Sequence, residues 1–361
     1  MRLIRLTRTY ITEIIEGKIG TRGPQLPSCS LALGSFDGLH LGHQELIHGV
    51  RASRDRLGLD SGALFTFMQH PRQLLNPEAE PFLLTTWRAK LAILQQLECS
   101  VIVAADFCPE LSALNYRDFV EKFLVGYLGM KHLVAGYDTH LGADRQGTAA
   151  TLEELGGELG YTVEVIPPVK NDGHIISSSA IRKALTAGDM PLAASMLGRP
   201  YAFWGEVTPG DRRGREIGYP TANIQPLDAM KMLPAAGVYA VKVQVPGDVV
   251  GPDSSGVLER VSESLPEVDL HGDILSAAPS DWAVFGGMLN FGNVPTFHGR
   301  GLPEPRVEAN IFGFAGDLRG RNVKIEWIRH LRSEKKFDGA AQLVEQLKRD
   351  EENARRVLDL D

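Results

Sequence analysis

This sequence has few cysteines and no excess of positive charge. Its 361 residues include three cysteines, Cys29, Cys99 and Cys108, which lie far apart and have no metal-ligand spacing. We therefore expect reduced, mostly buried thiols of the kind found in cytoplasmic proteins. The 38 basic and 45 acidic residues give a net charge of −7 at pH 7. This balance argues against broad attraction to a nucleic-acid backbone or an anionic membrane, although it permits a local basic cleft.

Long apolar runs are absent as well. Arg2, Arg5, Arg8 and Glu13 interrupt the N-terminal segment, which therefore lacks the continuous apolar core of a signal peptide. No later run reaches the length needed to cross a bilayer, and there is no internal repeat or low-complexity tract. With 43% hydrophobic residues and a length that favours two domains, the chain is predicted to be a soluble globular protein.

The pattern of apolar residues changes near residue 190. Short apolar runs alternate with segments of helical spacing in the first half, at 28–36, 62–68, 100–107, 132–137 and 161–169. This alternation predicts a Rossmann-like domain with a parallel sheet covered by helices on both faces. Two short helices over 177–200 are followed by strands at 201–208, 237–245, 282–292, 306–314 and 322–331 and by a charged helix over 340–358. The later strands predict an antiparallel sheet or barrel.

These patterns predict an N-terminal domain over residues 1–190 and a C-terminal domain over residues 191–361. Residues 249–280 interrupt the second domain with a segment rich in serine, proline, glycine and acidic residues. We expect an exposed, partly mobile insertion there, outside the barrel, with solvated acidic side chains.

The segment 31–47 has the strongest chemical signal of the first half. An apolar strand ends at Gly34, Gly38 and Gly42 follow in a loop, and a helix begins near His43. Glycines let the backbone approach a ligand closely, and a helix N-terminus presents N–H groups to phosphate. His40 and His43 are three residues apart, so both imidazoles can face the same oxygens. The alternatives are a plain glycine-rich turn and a zinc site, which lacks a third ligand at suitable spacing; no P-loop signature occurs in the chain.

A serine-rich segment provides a second element that can face phosphate. Ser177, Ser178 and Ser179 are natural N-cap residues for a helix that starts near Ala180, and Arg182 lies one turn into it. Taken alone, this is an ordinary capped helix. Together with the histidine turn, it resembles the second motif of the H-x-G-H adenylyltransferase superfamily, in which a phosphate attacks the α-phosphate of ATP and pyrophosphate leaves.

The longer pattern G-S-F-D-G-L-H-L-G-H resembles prokaryotic bifunctional riboflavin kinase/FMN adenylyltransferases (FAD synthetases). Segments 65–71, 111–125 and 136–148 resemble further parts of that family, with Thr139 and Leu141 replacing two aromatic residues. The resemblance implies catalytic roles for His40, His43 and Arg182 and flavin contact by His70. It implies nucleotide or phosphate binding by Gly34, Phe36, Asp37, Gly38, Gly42, Asp138, Arg145, Ser177 and Ser178.

A glycine-punctuated basic loop opens the second half. Its three glycines are Gly210, Gly214 and Gly218, and its three arginines are Arg212, Arg213 and Arg215. Such a loop is flexible and basic enough to wrap phosphates, and the alternative is a surface hairpin with solvated arginines.

Two polar positions and one acid follow this loop. Thr221 and Asn223 provide a hydroxyl and an amide that can hold a magnesium ion together with phosphate oxygens. Glu308 is a single carboxylate among apolar residues of a strand, where it is either a general base or a strand acid that points to solvent.

This half resembles the riboflavin kinase domain at 198–201, 210–223, 237–241, 290–297 and 331–337. The resemblance implies a small six-stranded antiparallel barrel with a C-terminal helix. It implies phosphate binding by Gly210, Gly214, Arg215 and Gly218, and metal binding by Thr221 and Asn223. It further implies that Glu308 takes the proton of the ribityl 5′-hydroxyl and that Asn290, Arg332, Glu334 and Phe337 lie at the flavin.

The resemblance covers nearly the whole chain except residues 249–280, and it implies an enzyme with two sites. One phosphorylates riboflavin with ATP to FMN, and the other converts FMN and ATP to FAD and pyrophosphate. Mg²⁺ accompanies ATP, no tightly bound redox cofactor is implied, and the partners are riboflavin, FMN, FAD, ATP, ADP and pyrophosphate rather than nucleic acid or membrane. Two alternatives stay open: an enzyme with only the kinase half active, and a flavin-binding protein without turnover.

Overall fold

The computed structural model describes residues 1–18, 25–76, 80–143, 145–210, 213–263, 267–268, 274–276, 280–293 and 305–360. Arg212 and the end of the 290–297 motif lie outside the described residues, as do parts of 249–280 and the side chains of Arg213 and Arg215. The chain divides into two units, Met1–Ser177 with Pro266–Ser276, and Ser178–Leu265 with Ala277–Asp361. The predicted boundary near residue 190 stays a prediction. In the part of the chain that the structure describes, no helix is long and apolar enough to cross a membrane.

The first unit contains a parallel sheet and its helices. The sheet strands are β1 (Arg2–Leu6), β2 (Cys29–Leu33), β3 (Ser61–Phe67), β4 (Val101–Ala105), β5 (Met130–Gly136) and β6 (Thr162–Ile166). The helices are α1 (Arg8–Ile15), α2 (Leu41–Leu57), α3 (Pro71–Leu75), α4 (Trp87–Gln96), α5 (Pro109–Ser112), α6 (Tyr116–Phe119), which continues as a π-helix over Val120–Tyr127, and α7 (Ala149–Leu159). A short hairpin of β7 (Lys170–Asn171) and β8 (His174–Ile175) follows.

The six strands pair in the order β1-β4-β3-β2-β5-β6, all in parallel. The central strands are continuous apolar runs because both faces of the sheet are covered, and every residue of β4 is buried. All five predicted strands are present. The structure adds β1, an edge strand in which Ile4 and Leu6 are buried, Arg5 is half-buried and Arg2 is exposed.

The three cysteines are free and buried in this unit, as predicted. Burial raises the pKa of the Cys29 and Cys99 thiols to about 12. It also raises the pKa of Cys108. All three are therefore protonated at neutral pH and are poor nucleophiles.

The second unit begins with α8 (Ser178–Thr186) and α9 (Met190–Leu197). The next elements are β9 (Tyr201–Thr208), α10 (Arg213–Glu216), β10 (Ala222–Pro226), β11 (Gly237–Pro246), a 3₁₀ turn over Gly247–Val249 and β12 (Val257–Glu263). A separate antiparallel pair, β13 (Glu267–Val268) with β14 (Ile274–Ser276), belongs to the first unit. The chain then forms β15 (Ser280–Asn293), β16 (Pro305–Ile311), β17 (Asn322–Arg332) and α11 (Ala340–Val357).

Six of these strands form a closed antiparallel barrel. The order is β11-β17-β9-β10-β16-β15, and the ring closes because β15 also pairs with β11. Tyr239, Phe285 and Trp327 are fully buried, and the Tyr239 and Trp327 rings meet edge to face at 4.7 Å. Helix α11 packs Ala354 and Leu358 against the barrel. The predicted fold class, a Rossmann-like parallel sheet followed by a six-stranded barrel with a C-terminal helix, is confirmed.

The segment 249–280 differs from the expectation that it stays outside the barrel. Its strand β12 pairs with residues 280–285 of β15 and so becomes a seventh strand of the same sheet. This is possible because β15 is 14 residues long and its first half extends past β16, leaving backbone groups to be paired. Most β12 side chains are exposed, which hides the strand among polar residues in the sequence.

Candidate active sites

The strand order of the first unit defines one candidate site. β2 lies between β3 and β5, at the point where the strand order reverses. Ligands of open α/β sheets bind outside the carboxyl ends of strands at such a point. Because the strands are parallel, the loops after β2, β3 and β5 leave from this one edge. These loops carry the predicted residues of 34–43, His70 and 136–147.

The turn after β2 has a strained backbone. Phe36, Gly38 and Leu39 have φ angles of 47°, 93° and 43°. The side chains of Phe36 and Leu39 are fully buried. Non-glycine residues adopt this left-handed region at an energetic cost, so the surrounding structure must impose it, and such positions cluster at ligand sites. The turn is therefore a fixed feature of the fold.

Two buried charged groups hold this turn. The Asp37 carboxylate, 2% exposed, accepts hydrogen bonds from the backbone N–H groups of Leu84 at 3.2 Å and Thr85 at 3.0 Å. The Lys90 ammonium donates to the carbonyl oxygen of Ser35 at 2.7 Å. Burial lowers the pKa of Lys90 to about 8, and the nearby Asp37 charge opposes that shift. Sequence reasoning did not single out Lys90, and its helical position within α4 gives no signal of this role.

The structure brings the two predicted histidines together. His40 is the N-cap of α2, and its Nδ1 accepts the backbone N–H of His43 at 3.3 Å. The two rings are stacked with centroids 3.7 Å apart, and the Phe36 ring meets His43 edge-on at 5.2 Å. A Cβ at Gly42 would lie 3.2 Å from the His40 ring, so glycine keeps this stack close to the helix. Two imidazoles thus lie side by side at a helix N-terminus, which favours anions.

The loop after β5 carries Asp138 and Arg145, both exposed. Leu141 and Gly147 exchange backbone hydrogen bonds of 3.0 Å each way, which closes the loop. The Leu141 side chain is 8% exposed and belongs to the core beneath the sheet, while the Thr139 N–H donates to the Gly136 carbonyl. Leu141, where the family pattern has an aromatic residue, therefore anchors the loop.

His70 caps a helix after β3, and the serine segment begins near the histidine turn. His70 is the N-cap of α3, with its Nδ1 accepting from the Arg72 N–H at 3.1 Å and its ring 5.0 Å from Phe82. A Cβ at Gly42 would lie 4.0 Å from the carbonyl oxygen of Ile176, which places the start of the serine segment beside the histidine turn. Ser177 is the last residue of the Met1–Ser177 segment of the first unit, whereas Ser178 and Arg182 lie on α8 of the second. The joining of Arg182 to the histidines stays a prediction.

The second unit contains two cavities that share one wall. One, of about 460 Å³, is lined by Tyr219, Asn290, Arg306, Glu308, Arg332, Glu334, Phe337 and Leu347 among others. The other, of about 660 Å³, is lined by Thr208, Gly210, Ala309, Phe314, Asp317 and Leu318 among others. Thr221 and Asn223 line both cavities. The two predicted metal-binding residues therefore stand between two spaces, each large enough for part of a substrate.

A row of polar side chains crosses three neighbouring strands at this wall. Glu308 of β16 is directly opposite Asn223 of β10 on one side and Asn290 of β15 on the other. Directly paired residues share a face of the sheet. The flanking Val307 and Ala309 are buried, so by alternation Glu308 lies on the opposite face. The predicted base and two predicted polar ligands are thus adjacent.

At positions 210 and 214 the loop backbone lies so close to neighbouring groups that there is no room for a side chain. A Cβ at Gly210 would lie 1.7 Å from the Nδ2 of Asn223, and a Cβ at Gly214 would lie 2.2 Å from the Tyr219 carbonyl oxygen and 3.3 Å from Thr221 Oγ1. Gly218 has a φ of 84°. Gly210 and Gly214 therefore let the loop backbone lie close to Asn223 and Thr221, whereas Gly218 permits a left-handed turn.

Sequence reasoning missed Arg306, which is the ion-pair partner of Glu308. Its Nε and Nη2 donate to Glu308 Oε1 at 3.1 and 2.7 Å. Asn310, two residues further along β16, donates to the Pro220 carbonyl at 2.7 Å and so fixes the segment before Thr221. The signal was the alternation of the strand, because Arg306, Glu308 and Asn310 occupy every second position.

The remaining predicted residues lie at the end of the 460 Å³ cavity. Arg332 is bound by the buried Asp350 of α11, with Nη2 at 2.8 Å from Oδ2, and its guanidinium lies 5.7 Å from the Phe337 ring. Glu334 packs against Gly292, where a Cβ would lie 2.1 Å from its Oε1. Asp350 is a further residue that the sequence did not reveal.

The fold defines a two-unit protein with two candidate nucleotide-binding sites, one on a Rossmann-like unit and one on a barrel. A family model described as FAD synthetase matches residues 23–180, and one described as riboflavin kinase matches residues 197–358. The bifunctional riboflavin kinase/FMN adenylyltransferase of Bacillus subtilis is 35% identical over 90% of both chains. The Escherichia coli K12 protein of the same name is 31% identical over 94% of this chain and 96% of its own. The chain belongs to the bifunctional riboflavin kinase/FMN adenylyltransferase family.

A solved structure also resembles the whole chain. The crystal structure of a protein named macrolide-efflux protein, from Streptococcus pneumoniae, has a TM-score of 0.76 and 29% identity. The match covers 98% of this chain and 99% of that one. The likeness supports a common arrangement of elements in each unit.

Proposed function

We propose that this protein makes FAD from riboflavin in two steps, each at its own site. The barrel unit transfers a phosphoryl group from ATP to riboflavin, giving FMN and ADP. The Rossmann-like unit joins FMN to the adenylyl group of a second ATP, giving FAD and pyrophosphate. The observation that carries this proposal is the presence of two groups of polar side chains, the histidine turn in one unit and the Asn223–Glu308–Asn290 row in the other.

In the kinase site, Glu308 takes the proton of the ribityl 5′-hydroxyl as that oxygen attacks the γ-phosphate of ATP. An alcohol is a poor nucleophile while protonated, so a positioned base accelerates this step. Both described hydrogen bonds from Arg306 go to Oε1 of Glu308, which leaves the second carboxylate oxygen for the substrate hydroxyl. Arg306 thereby keeps the base in one orientation.

The two cavities accommodate the two substrates on opposite sides of Thr221 and Asn223. The 660 Å³ cavity suits the nucleotide, because Gly210 of the predicted phosphate loop lines it. Gly214 lines the 460 Å³ cavity, so the loop reaches both cavities, and its residues Gly210, Gly214, Arg215 and Gly218 hold the phosphates. The 460 Å³ cavity suits the flavin, with Asn290, Arg332, Glu334 and Phe337 around it. This arrangement directs the hydroxyl and the γ-phosphate toward the shared wall, where phosphoryl transfer depends on positioning.

Thr221 and Asn223 fit a magnesium ion that arrives with ATP. Mg²⁺ commonly keeps several waters and binds through one or two protein oxygens together with substrate phosphates. A hydroxyl and an amide oxygen at the wall between the cavities meet this requirement. When bound, the ion would neutralise charge on the phosphates, while the side chains keep the nucleotide in register with Glu308.

In the adenylyltransferase site, the phosphate of FMN attacks the α-phosphorus of ATP, and pyrophosphate leaves. No protein base is needed, because the attacking phosphate is already ionised. His40, His43 and the N-terminus of α2 stabilise the charge that develops on the phosphates, and Arg182 supplies a cation from the serine segment. Gly34, Phe36, Asp37, Gly38 and Gly42 shape the turn, Ser177 and Ser178 bind phosphate, Asp138 and Arg145 contact the nucleotide, and His70 contacts the flavin.

The enzyme has two domains, residues 1–190 and 191–361. Its partners are riboflavin, FMN, FAD, ATP, ADP and pyrophosphate. Its location is cytoplasmic, in agreement with its three free thiols. The enzyme binds neither nucleic acid nor membrane and carries no tightly bound redox cofactor.

One experiment tests both sites with matched variants. Purified protein is incubated with MgATP and either riboflavin or FMN, and flavins are separated by chromatography over time. Glu308→Gln should abolish FMN formation and leave FAD formation from FMN unchanged, whereas His43→Ala should do the reverse. If riboflavin yields FMN but neither riboflavin nor FMN yields FAD, the bifunctional proposal is wrong. Flavin binding without turnover would identify a carrier. A single variant that silences both steps while remaining folded would reject two independent sites.

A further inference from the structure

Residues 249–256, which precede β12, lie directly on the loop that follows β16. The N–H of Gly251 donates to the Ala315 carbonyl at 2.8 Å, and the N–H groups of Ser255 and Gly256 donate to the Gly313 carbonyl at 2.9 and 3.2 Å. The Ser254 hydroxyl accepts the Ala315 N–H at 2.9 Å and donates to the Ala315 carbonyl at 2.9 Å. One serine side chain thus binds both polar groups of a single loop residue.

Glycines on both sides make this contact possible. A Cβ at Gly251 would lie 2.5 Å from the Ala315 oxygen, and one at Gly256 would lie 2.1 Å from the Phe312 oxygen. On the facing loop, a Cβ at Gly313 would lie 2.6 Å from the Gly256 nitrogen, and one at Gly316 would lie 2.3 Å from the Val249 oxygen. Cβ atoms in folded proteins essentially never come within 3.0 Å of another heavy atom. The two segments can therefore meet backbone to backbone only because these positions are glycine.

The loop that is held in this way forms one wall of the 660 Å³ cavity. Phe314, Ala315, Gly316, Asp317, Leu318 and Arg319 all line it, together with Gly210 and Asn223. Ala315, the residue that Ser254 binds, is therefore also a cavity residue. An exposed loop has few internal contacts to order it, so an external brace changes how well the wall is preformed.

We propose that residues 249–256 are a brace for the nucleotide cavity of the kinase, with Ser254 as the positioning residue that sets its affinity for ATP. The inference rests on the proposed assignment of the nucleotide to this cavity. Ser254 touches no substrate, and it acts by keeping the Ala315 peptide in place. A preformed wall lowers the ordering cost of ATP binding without changing the flavin cavity or the base.

The test compares Ser254→Ala with Ser255→Ala in the full-length enzyme. Ser255 is an exposed neighbour whose bond to Gly313 uses only its backbone N–H, so its variant is a matched control. Ser254→Ala should raise the kinase KM for ATP about fivefold to tenfold, as expected for loss of a hydroxyl that makes two hydrogen bonds. The KM for riboflavin, kcat and the conversion of FMN to FAD should stay as in the parent, and Ser255→Ala should match the parent throughout.

Gly210→Ala separates failure of the brace from failure of the proposed function. This variant places a methyl group against Asn223 and should raise the KM for ATP if the nucleotide occupies this cavity. A raised KM in Gly210→Ala with a KM in Ser254→Ala within about twofold of the parent would overturn the brace alone. An unchanged KM in both variants would overturn the cavity assignment and the brace with it. An equal rise in the KM for riboflavin, or a fall in kcat, would identify a general structural role and also overturn the proposal.

Discussion

Removal of Asp350 should expose how strongly the flavin end of the barrel depends on one buried ion pair. The Asp350 side chain is 2% exposed and that of Arg332 is 21% exposed. Arg332 Nε donates to both carboxylate oxygens at 3.0 Å, and Gln346 donates to Oδ1 at 2.9 Å. Asp350→Ala leaves the guanidinium without its partner in this setting.

The magnitude follows from the burial. Breaking a fully buried pair by removing one partner costs about 3–5 kcal/mol. Because Arg332 retains 21% exposure and can be partly hydrated, we expect a loss of about 2–3 kcal/mol of unfolding free energy. Urea unfolding followed by tryptophan fluorescence measures it, since Trp204, Trp282 and Trp327 all lie in barrel strands.

A double variant separates stability from function. Apolar residues of similar volume often replace a buried ion pair at little cost, so Arg332→Met with Asp350→Leu should return to within about 1 kcal/mol of the parent. The double variant should nevertheless remain a poor riboflavin kinase, because the cavity has lost its arginine. A loss below about 1 kcal/mol in Asp350→Ala, or a double variant less stable than the single one, would refute the reasoning about the pair. Full kinase activity in the double variant would refute a role for Arg332 at the flavin.

Three further predictions concern the first unit. Lys90 has a pKa of about 8 in the folded state and 10.5 as its ordinary value, so the unfolded state binds the proton more tightly. The stability of the parent relative to Lys90→Met should therefore rise between about pH 8 and pH 10.5, by at most about 3 kcal/mol, and a pH-independent difference in urea unfolding would contradict this. Gly147→Ala places a Cβ 2.6 Å from that of Leu141 and 2.8 Å from that of Tyr116, and should lower thermal stability by about 1–3 kcal/mol and slow FAD formation but not FMN formation. Asp37→Asn should weaken the two backbone hydrogen bonds, slow FAD formation and leave kinase rates unchanged, and equal loss in both assays would argue against a local role.

The elements were more predictable from the sequence than the contacts between them. The predicted strand 201–208 has the bounds of β9, because its alternation of buried and exposed residues is a local property. The alignment of Asn223, Glu308 and Asn290 depends on the register of three strands that are far apart in sequence, and no local pattern specifies it.

In the histidine turn too, local sequence patterns were predictive and long-range contacts were not. Its glycines and histidines signalled a phosphate site, and the stacked His40 and His43 rings agree with the expected proximity. The left-handed backbone of Phe36 was hidden, because tertiary contacts by Asp37 and Lys90 impose it against local preference. β12 was hidden for a related reason, since an exposed edge strand made of polar residues resembles a loop in composition.

The buried cysteines can report local opening of the first unit, because their thiols become reactive only when that unit opens. All three thiols belong to the first unit, and the second unit has none. A buried thiol with a pKa near 12 reacts with an alkylating reagent only when its surroundings open, so the labelling rate reports the opening equilibrium of the first unit alone. Ligands that bind this unit should slow labelling in proportion to their saturation, whereas ligands of the barrel should leave the rate unchanged. Occupancy of one site can thus be followed in the intact enzyme while the other site turns over.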